Sequence, residues 1–162
     1  MALNNKFKRQ THFVAGFNFQ GKRTTNVGED LLTAETAADT DLMDGTPVVF
    51  DGGLQTIAVC GAAVTPDAIL YSRVSEELTD FEWIYTDILR DEVKPGDPAT
   101  IVLFKKNGII KTRLADASTL TVGDEVEIGD GTNNYYYAVS SGGEVVGKVI
   151  DIEDDFVTIL LK

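Results

Sequence analysis

Cysteine and histidine are nearly absent: the 162 residues hold one of each, together with one tryptophan and four prolines. A lone Cys60 excludes an intramolecular disulfide, and its neighbours in TIAVCGAAV suit a small buried residue better than a reactive thiol. A lone His12, far in sequence from Cys60, leaves a histidine-based triad nothing to assemble from. No GxSxG, P-loop lysine, HExxH or paired CxxC string occurs, so phosphate cradles and zinc sites lack their residues. No apolar run approaches the roughly 20 residues that cross a bilayer. The basic N-terminus is not followed by the apolar segment of a secretory signal. The reading is a cytoplasmically synthesised protein with no catalytic residue, cofactor, metal or membrane partner.

Acid is what the chain has in excess. The net charge is -12, yet residues 1–28 carry five cations (Lys6, Lys8, Arg9, Lys22 and Arg23) and no acid. The remaining residues carry nine cations against 26 acids. Such an acidic body repels phosphate backbones, which disfavours nucleic acid as a partner. The basic head suits an acidic neighbour.

Residues 99–162 set the fold class. ATIVLFKK, GIIKTRL, DEVEIG, NYYYAV, EVVGKVIDI and FVTILL are rich in Val, Ile, Tyr, Phe and Thr and are separated by Gly, Asn or Asp. Short strands at even spacing predict a mainly β fold, a small antiparallel barrel or sandwich, with at most one short helix. That helix would lie in residues 75–91, where Leu78, Phe81, Tyr85 and Ile88 fit a helical face but Phe81, Trp83, Tyr85 and Leu89 fit a strand. A degenerate duplication is also visible. LMDGTPVVFDGG (42–53) parallels LTVGDEVEIGDG (120–131), and IAVCGAAVTPD (57–67) parallels EVVGKVIDIED (144–154).

Residues 1–41 differ in kind. Phe7, Phe13, Phe17 and Phe19 stand among glycines and polar residues, and Phe13, Ala15, Phe17 and Phe19 share one parity of an extended strand. The expectation is an extended N-terminal arm over 1–41 and a β-rich domain over 42–162. Carboxylate-rich IEDDF (152–156) and DGTNN (130–134) lack the alternating ligands of a calcium loop and read as hairpin turns. Glu76 with Glu77, or Glu82 with Asp87, is a formal carboxylate pair with nothing around it to mark a sugar cleft. Of the tyrosine triplet, Tyr135 and Tyr137 would share one strand face and Tyr136 the other, a core contribution plus one exposed aromatic.

PATIVLFKKNGIIKTRL, LTVGDEVEI and VVGKVIDIEDDFVTILL together resemble bacteriophage head decoration, or capsid cement, proteins, the family of the phage lambda head decoration protein and related β-tulip domains. The resemblance spans roughly 42–162. It implies a non-enzymatic virion protein on the outer surface of an expanded head, a homotrimer at threefold positions that bridges neighbouring major capsid subunits. On that reading the arm, through Lys6, Phe7, Lys8, Arg9, Phe13, Phe17 and Phe19, would grip the shell by burial, strand addition and charge. Two alternatives stand beside it: another phage structural module, associated with a tail or fibre, and a sugar-binding or hydrolytic barrel gathering Tyr135 or Tyr137 with acids such as Glu82 and Asp87.

Overall fold

A computed structural model describes residues 10–17, 31–36, 42–51, 56–71, 92–93, 96 and 98–162. In chain order its strands are β1 (Thr11–Ala15), β2 (Leu31–Thr36), β3 (Leu42–Met43), β4 (Pro47–Phe50), β5 (Thr56–Val59), β6 (Ala68–Leu70) and β7 (Glu92–Val93). They continue with β8 (Pro98–Leu103), β9 (Ile109–Thr112), β10 (Glu125–Ile128), β11 (Tyr137–Val139), β12 (Val145–Glu153) and β13 (Phe156–Leu161). One 3₁₀ turn, Thr132–Asn134, is the only helical piece among the described residues. The fold is mainly β, as the strand-rich composition predicts. Residues 75–91 lie outside the described segments.

Two groups of strands share the work. An open six-stranded antiparallel sheet runs in the order β1-β9-β13-β12-β10-β11. A second group, β2-β5-β4-β6-β8, pairs around a ring in which β8 returns to β2. The ring is not antiparallel throughout, because β2 and β5 run parallel over two residue pairs. A single antiparallel barrel is therefore too simple a picture: most of the C-terminal strands form an open sheet beside the ring.

Alternation builds the sheet. In β13, FVTILL, the side chains of Val157, Ile159 and Leu161 are buried while Phe156, Thr158 and Leu160 are only partly covered. In β9, Ile110 and Thr112 take the same inward face. Val126, Ile128, Val146, Val149 and Tyr137 complete this core, and each fully buried aliphatic contributes about 1.5–3 kcal/mol. The ring has its own core of Leu42, Val48, Ile57, Ala68, Leu70, Ala99 and Ile101. The turn from β12 to β13 needs only Asp154 and Asp155, since Glu153 pairs with Phe156. Asp154 sits at φ 55, a left-handed conformation that aspartate tolerates in tight hairpins.

The duplicated motif is partly visible. Gly45 at φ 82 and Gly123 at φ 103 hold equivalent turns ahead of β4 and β10. β4 pairs with β5, and β10 pairs with β12. The downstream match fails: Gly61 follows β5 in an exposed turn, whereas Gly147 lies buried inside β12.

The expected free arm does not hold for residues 10–17. β1 pairs with β9 of the same chain, Thr11 opposite Thr112 and Phe13 opposite Ile110. Gln10 and Thr11 are buried. Phe13 and Phe17 pack on the main core, with their rings edge to face at 5.0 Å. Phe17 lies so close over Gly108 that a Cβ there would meet its Cζ at 2.5 Å. Downstream, β2 pairs with β8 from Leu31–Val102 to Glu35–Pro98. The physical reason is that Phe13 and Phe17 have an apolar surface to cover within their own subunit; the expected common parity is broken by a bulge after Phe13, and Ala15 is exposed. Lys6, Phe7, Lys8, Arg9 and Phe19 lie outside the described residues.

Ring and sheet meet where the β3–β4 turn docks on β1. The Gln10 backbone N–H donates to the buried Asp44 carboxylate at 3.0 Å, and the Thr11 and Thr112 hydroxyls bond to each other at 2.8 Å. A Cβ on Gly45 would run into the Thr11 side chain and meet Leu114 Cδ1 at 3.1 Å. Gly45→Ala is therefore expected to destabilise the protein by about 2–4 kcal/mol. Gly61→Ala, whose Cβ would meet nothing within 4 Å, should stay within about 0.5 kcal/mol of the parent in urea titrations. Deleting residues 1–17 should lower the urea midpoint, and an unchanged midpoint would show that β1 adds nothing to the fold.

Candidate functional site

The outer face of the six-stranded sheet gathers cations around one aromatic ring. Pairing of β13 with β9 brings Phe156 next to Lys111 and Arg113, although more than forty positions separate them in sequence. The Arg113 guanidinium lies 4.2 Å from the Phe156 ring centroid and Lys111 Nζ lies 5.3 Å from it. His12, on the neighbouring strand, approaches with its ring at 5.7 Å. Each of these two cations has an acidic companion on the β12–β13 hairpin: Lys111 Nζ to Glu153 Oε2 at 2.6 Å and Arg113 Nε to Asp155 Oδ2 at 3.3 Å. The Lys111 ammonium holds the Glu153 carboxyl below its ordinary value, first by hydrogen bonding and then by charge. Exposed pairs of this kind contribute little to stability.

Arg113 also borders a cleft of about 580 Å³, within the size range of small-ligand sites. One wall is the 114–118 segment, whose Asp116 carboxylate accepts from the Ser118 backbone N–H at 3.0 Å and from its hydroxyl at 2.6 Å. The opposite wall is the 3₁₀ turn and Tyr135, with Asn133 at φ 56 and Asn134 at φ 62. Asp154, Asp155, Gln10 and Met43 also line it. The turn is fixed locally: Asp130 accepts from the Thr132 N–H at 2.9 Å, and the Asn134 N–H donates to the Gly131 carbonyl at 2.9 Å. The Asp130 carboxyl is correspondingly lowered, chiefly by Thr132.

The tyrosine triplet splits as expected in number but not by strand parity. Tyr137 is buried in the core, Tyr136 is partly covered, and Tyr135 stays 39% exposed at the cleft. Tyr135 leaves the 3₁₀ turn ahead of β11, so the alternation begins only at Tyr137. Cys60 is buried as predicted, and burial, reinforced by Asp67, pushes its thiol up to about 11. That removes the thiolate needed for nucleophilic or redox work at neutral pH. Glu76, Glu77, Glu82 and Asp87 lie outside the described residues. Among the described residues no group of three or more His, Cys, Asp or Glu side chains is arranged to hold a metal ion.

Sequence reading passed over Arg113, Phe156 and Asp116. The available signal was Lys111-x-Arg113, two cations on one face of a predicted strand, next to a hairpin that returns an acidic turn. Also unforeseen was Glu127, only 8% exposed. Its carboxylate accepts from the Ser141 hydroxyl at 2.9 Å, the Ser141 N–H at 3.1 Å, the Ser140 hydroxyl at 3.2 Å and the Gly143 N–H at 2.7 Å. These bonds shape the β11–β12 connection.

No family model matches the chain, and no curated protein matches it. The resemblance to head decoration proteins thus rests on its local strand patterns. Among solved structures, the chain is similar to the head fiber gp8.5 N base of bacteriophage phi29, with a TM-score of 0.52 and 16% sequence identity over 82% of this chain and 92% of that one. At that identity the likeness establishes a common fold.

Hydrogen bonds from Ser141 first, with Gly143 and Ser140 adding, hold the Glu127 carboxyl below its ordinary value of 4.5. The folded state therefore binds protons less readily than the unfolded chain, and the stabilisation is present above pH 4.5 and lost as pH falls through the lower folded value. Glu127→Gln should be less stable than the parent at neutral pH, with the gap closing in acid. Urea midpoints measured across that range check the sign.

Proposed function

We propose that this chain is a structural protein of a bacteriophage virion, seated on the outer surface of the head. The observation that carries the reading is the fold shared with a head fiber base over nearly the whole of that domain. The strand patterns resembling head decoration proteins point the same way. In the finer form of the proposal the chain cements the shell, bridging neighbouring major capsid subunits as a trimer without making or breaking a bond. The phi29 likeness favours a second form, in which the same domain is the base from which a head fibre projects.

The mode of attachment differs from a simple free arm. Phe13 and Phe17 are used inside the subunit, so the apolar grip has to come from elsewhere. Lys6, Phe7, Lys8 and Arg9, which precede β1 in sequence, keep their proposed role, with the cations meeting shell carboxylates. An acidic body joined to a basic leading segment gives such a contact a defined polarity, and repeated copies on a symmetric shell raise the effective affinity.

Mixing the full chain with expanded heads that lack it, followed by sedimentation and electron microscopy, tests the proposal. Saturable co-sedimentation is expected, with density at fixed lattice points. Compact knobs favour cement and an elongated projection in the virion favours a fibre base. Protein left in the supernatant, or found only on tails, overturns the head assignment. Replacing Lys6, Lys8 and Arg9 by Ala should weaken binding and flatten its salt dependence as the screening length falls from about 10 Å at 0.1 M to about 3 Å at 1 M.

A further inference from the structure

We infer that the cleft between the 114–118 segment and the 3₁₀ turn is a binding site for a neutral saccharide. The inference is independent of where the protein sits on a virion, because it rests on the cleft's own chemistry. Its volume of about 580 Å³ accommodates a small ligand. Tyr135 lines it and keeps 39% of its surface exposed, although aromatic side chains nearby are largely covered. A tyrosine ring left at a cleft mouth offers an apolar plate beside a polar tip, which matches the C–H face of a pyranose ring.

The polar lining is of mixed kind. Asp116 and Asp154 accept hydrogen bonds, Arg113 donates them, and the amides of Asn133 and Asn134 do both. A sugar hydroxyl also both donates and accepts, so adjacent hydroxyls suit a wall where donors and acceptors alternate. Arg113 Nε is buried and pairs with Asp155 Oδ2 at 3.3 Å by charge alone, so that N–H makes no hydrogen bond among the described residues. Its guanidinium plane is fixed on the Phe156 ring at 4.2 Å, so the donor fork is held in place before any ligand arrives.

Other ligand classes fit less well. Three carboxylates, Asp116, Asp154 and Asp155, face one guanidinium, which disfavours phosphates, sulfates and acidic sugars. No metal-holding cluster occurs among the described residues. The uncharged, hydroxyl-rich ligand remains.

The test uses the full chain, isotope-labelled, titrated by NMR with galactose, N-acetylglucosamine and maltotriose as neutral probes and with glucuronate and sialic acid as anionic ones. Saturable shifts confined to residues 113–118, 133–135 and 154–155 are expected with at least one neutral probe. Tyr135→Ala should weaken that binding at least about tenfold. Asn134→Gly, which keeps the left-handed backbone but removes the amide, should weaken it as well, while Val122→Thr, on an exposed turn, should not. No saturable shift with any neutral probe, shifts centred elsewhere, binding of the anionic probes alone, or full affinity in both cleft variants would overturn the assignment.

Discussion

The buried Asp44 carboxylate accepts the Gln10 N–H, and around this bond the two groups of strands are joined. A buried carboxyl group is costly unless its oxygens are engaged, so the β3–β4 turn is held wherever the start of β1 lies. Gly45 allows the contact by having no side chain where Thr11 and Leu114 stand. The Thr11 and Thr112 hydroxyls then carry the link into β9, and Thr112 Oγ1 also accepts the Leu114 N–H at 3.0 Å. A second seam lies at the far side, where the Ala63 N–H in the β5–β6 loop donates to the Ile128 carbonyl at 2.8 Å. Ring and sheet are thereby fixed at two separated places.

The cleft depends on the same joint. Gln10 and Met43 border it because the β3–β4 turn and β1 are pinned together, and Arg113 borders it because its N–H continues the β1 contact by donating to the Gln10 carbonyl at 2.9 Å. The Tyr136 and Tyr137 N–H groups both donate to the Leu114 carbonyl, at 2.8 and 3.0 Å, which sets the opposite wall. A surface feature is therefore positioned by buried backbone bonds, and the chemistry at its rim can vary without moving its frame.

Much of the C-terminal fold was legible because β9, β10, β12 and β13 follow local rules: β-branched residues alternating across a pleat, with glycine or aspartate at each reversal. Cys60 was legible for the same reason, through its apolar neighbours. The N-terminal segment was misread because its partner is remote. Thr11 meets Thr112 across 101 positions, and nothing in THFVAGF says which edge it will cover. Its extended start was right, but a bulge after Phe13 breaks the expected parity and Ala15 is exposed. The site suffered similarly: Phe156 and His12 belong to two strands and Arg113 follows a third, and only register brings them together. Asn133 and Asn134 had a visible signal, a DGTNN string suited to left-handed backbone, but nothing local shows that the turn walls a cleft.

The six-stranded sheet ends in strands that are poor templates for another chain. β11 offers three residues, and β1 is interrupted by a bulge between Phe13 and Ala15 before Gly16 turns the backbone away. A long flat margin with open N–H and C=O groups invites edge-to-edge polymerisation. Truncation on one side and a kink on the other blunt both margins. Copies of the chain at high concentration are thereby kept from joining through these sheet margins.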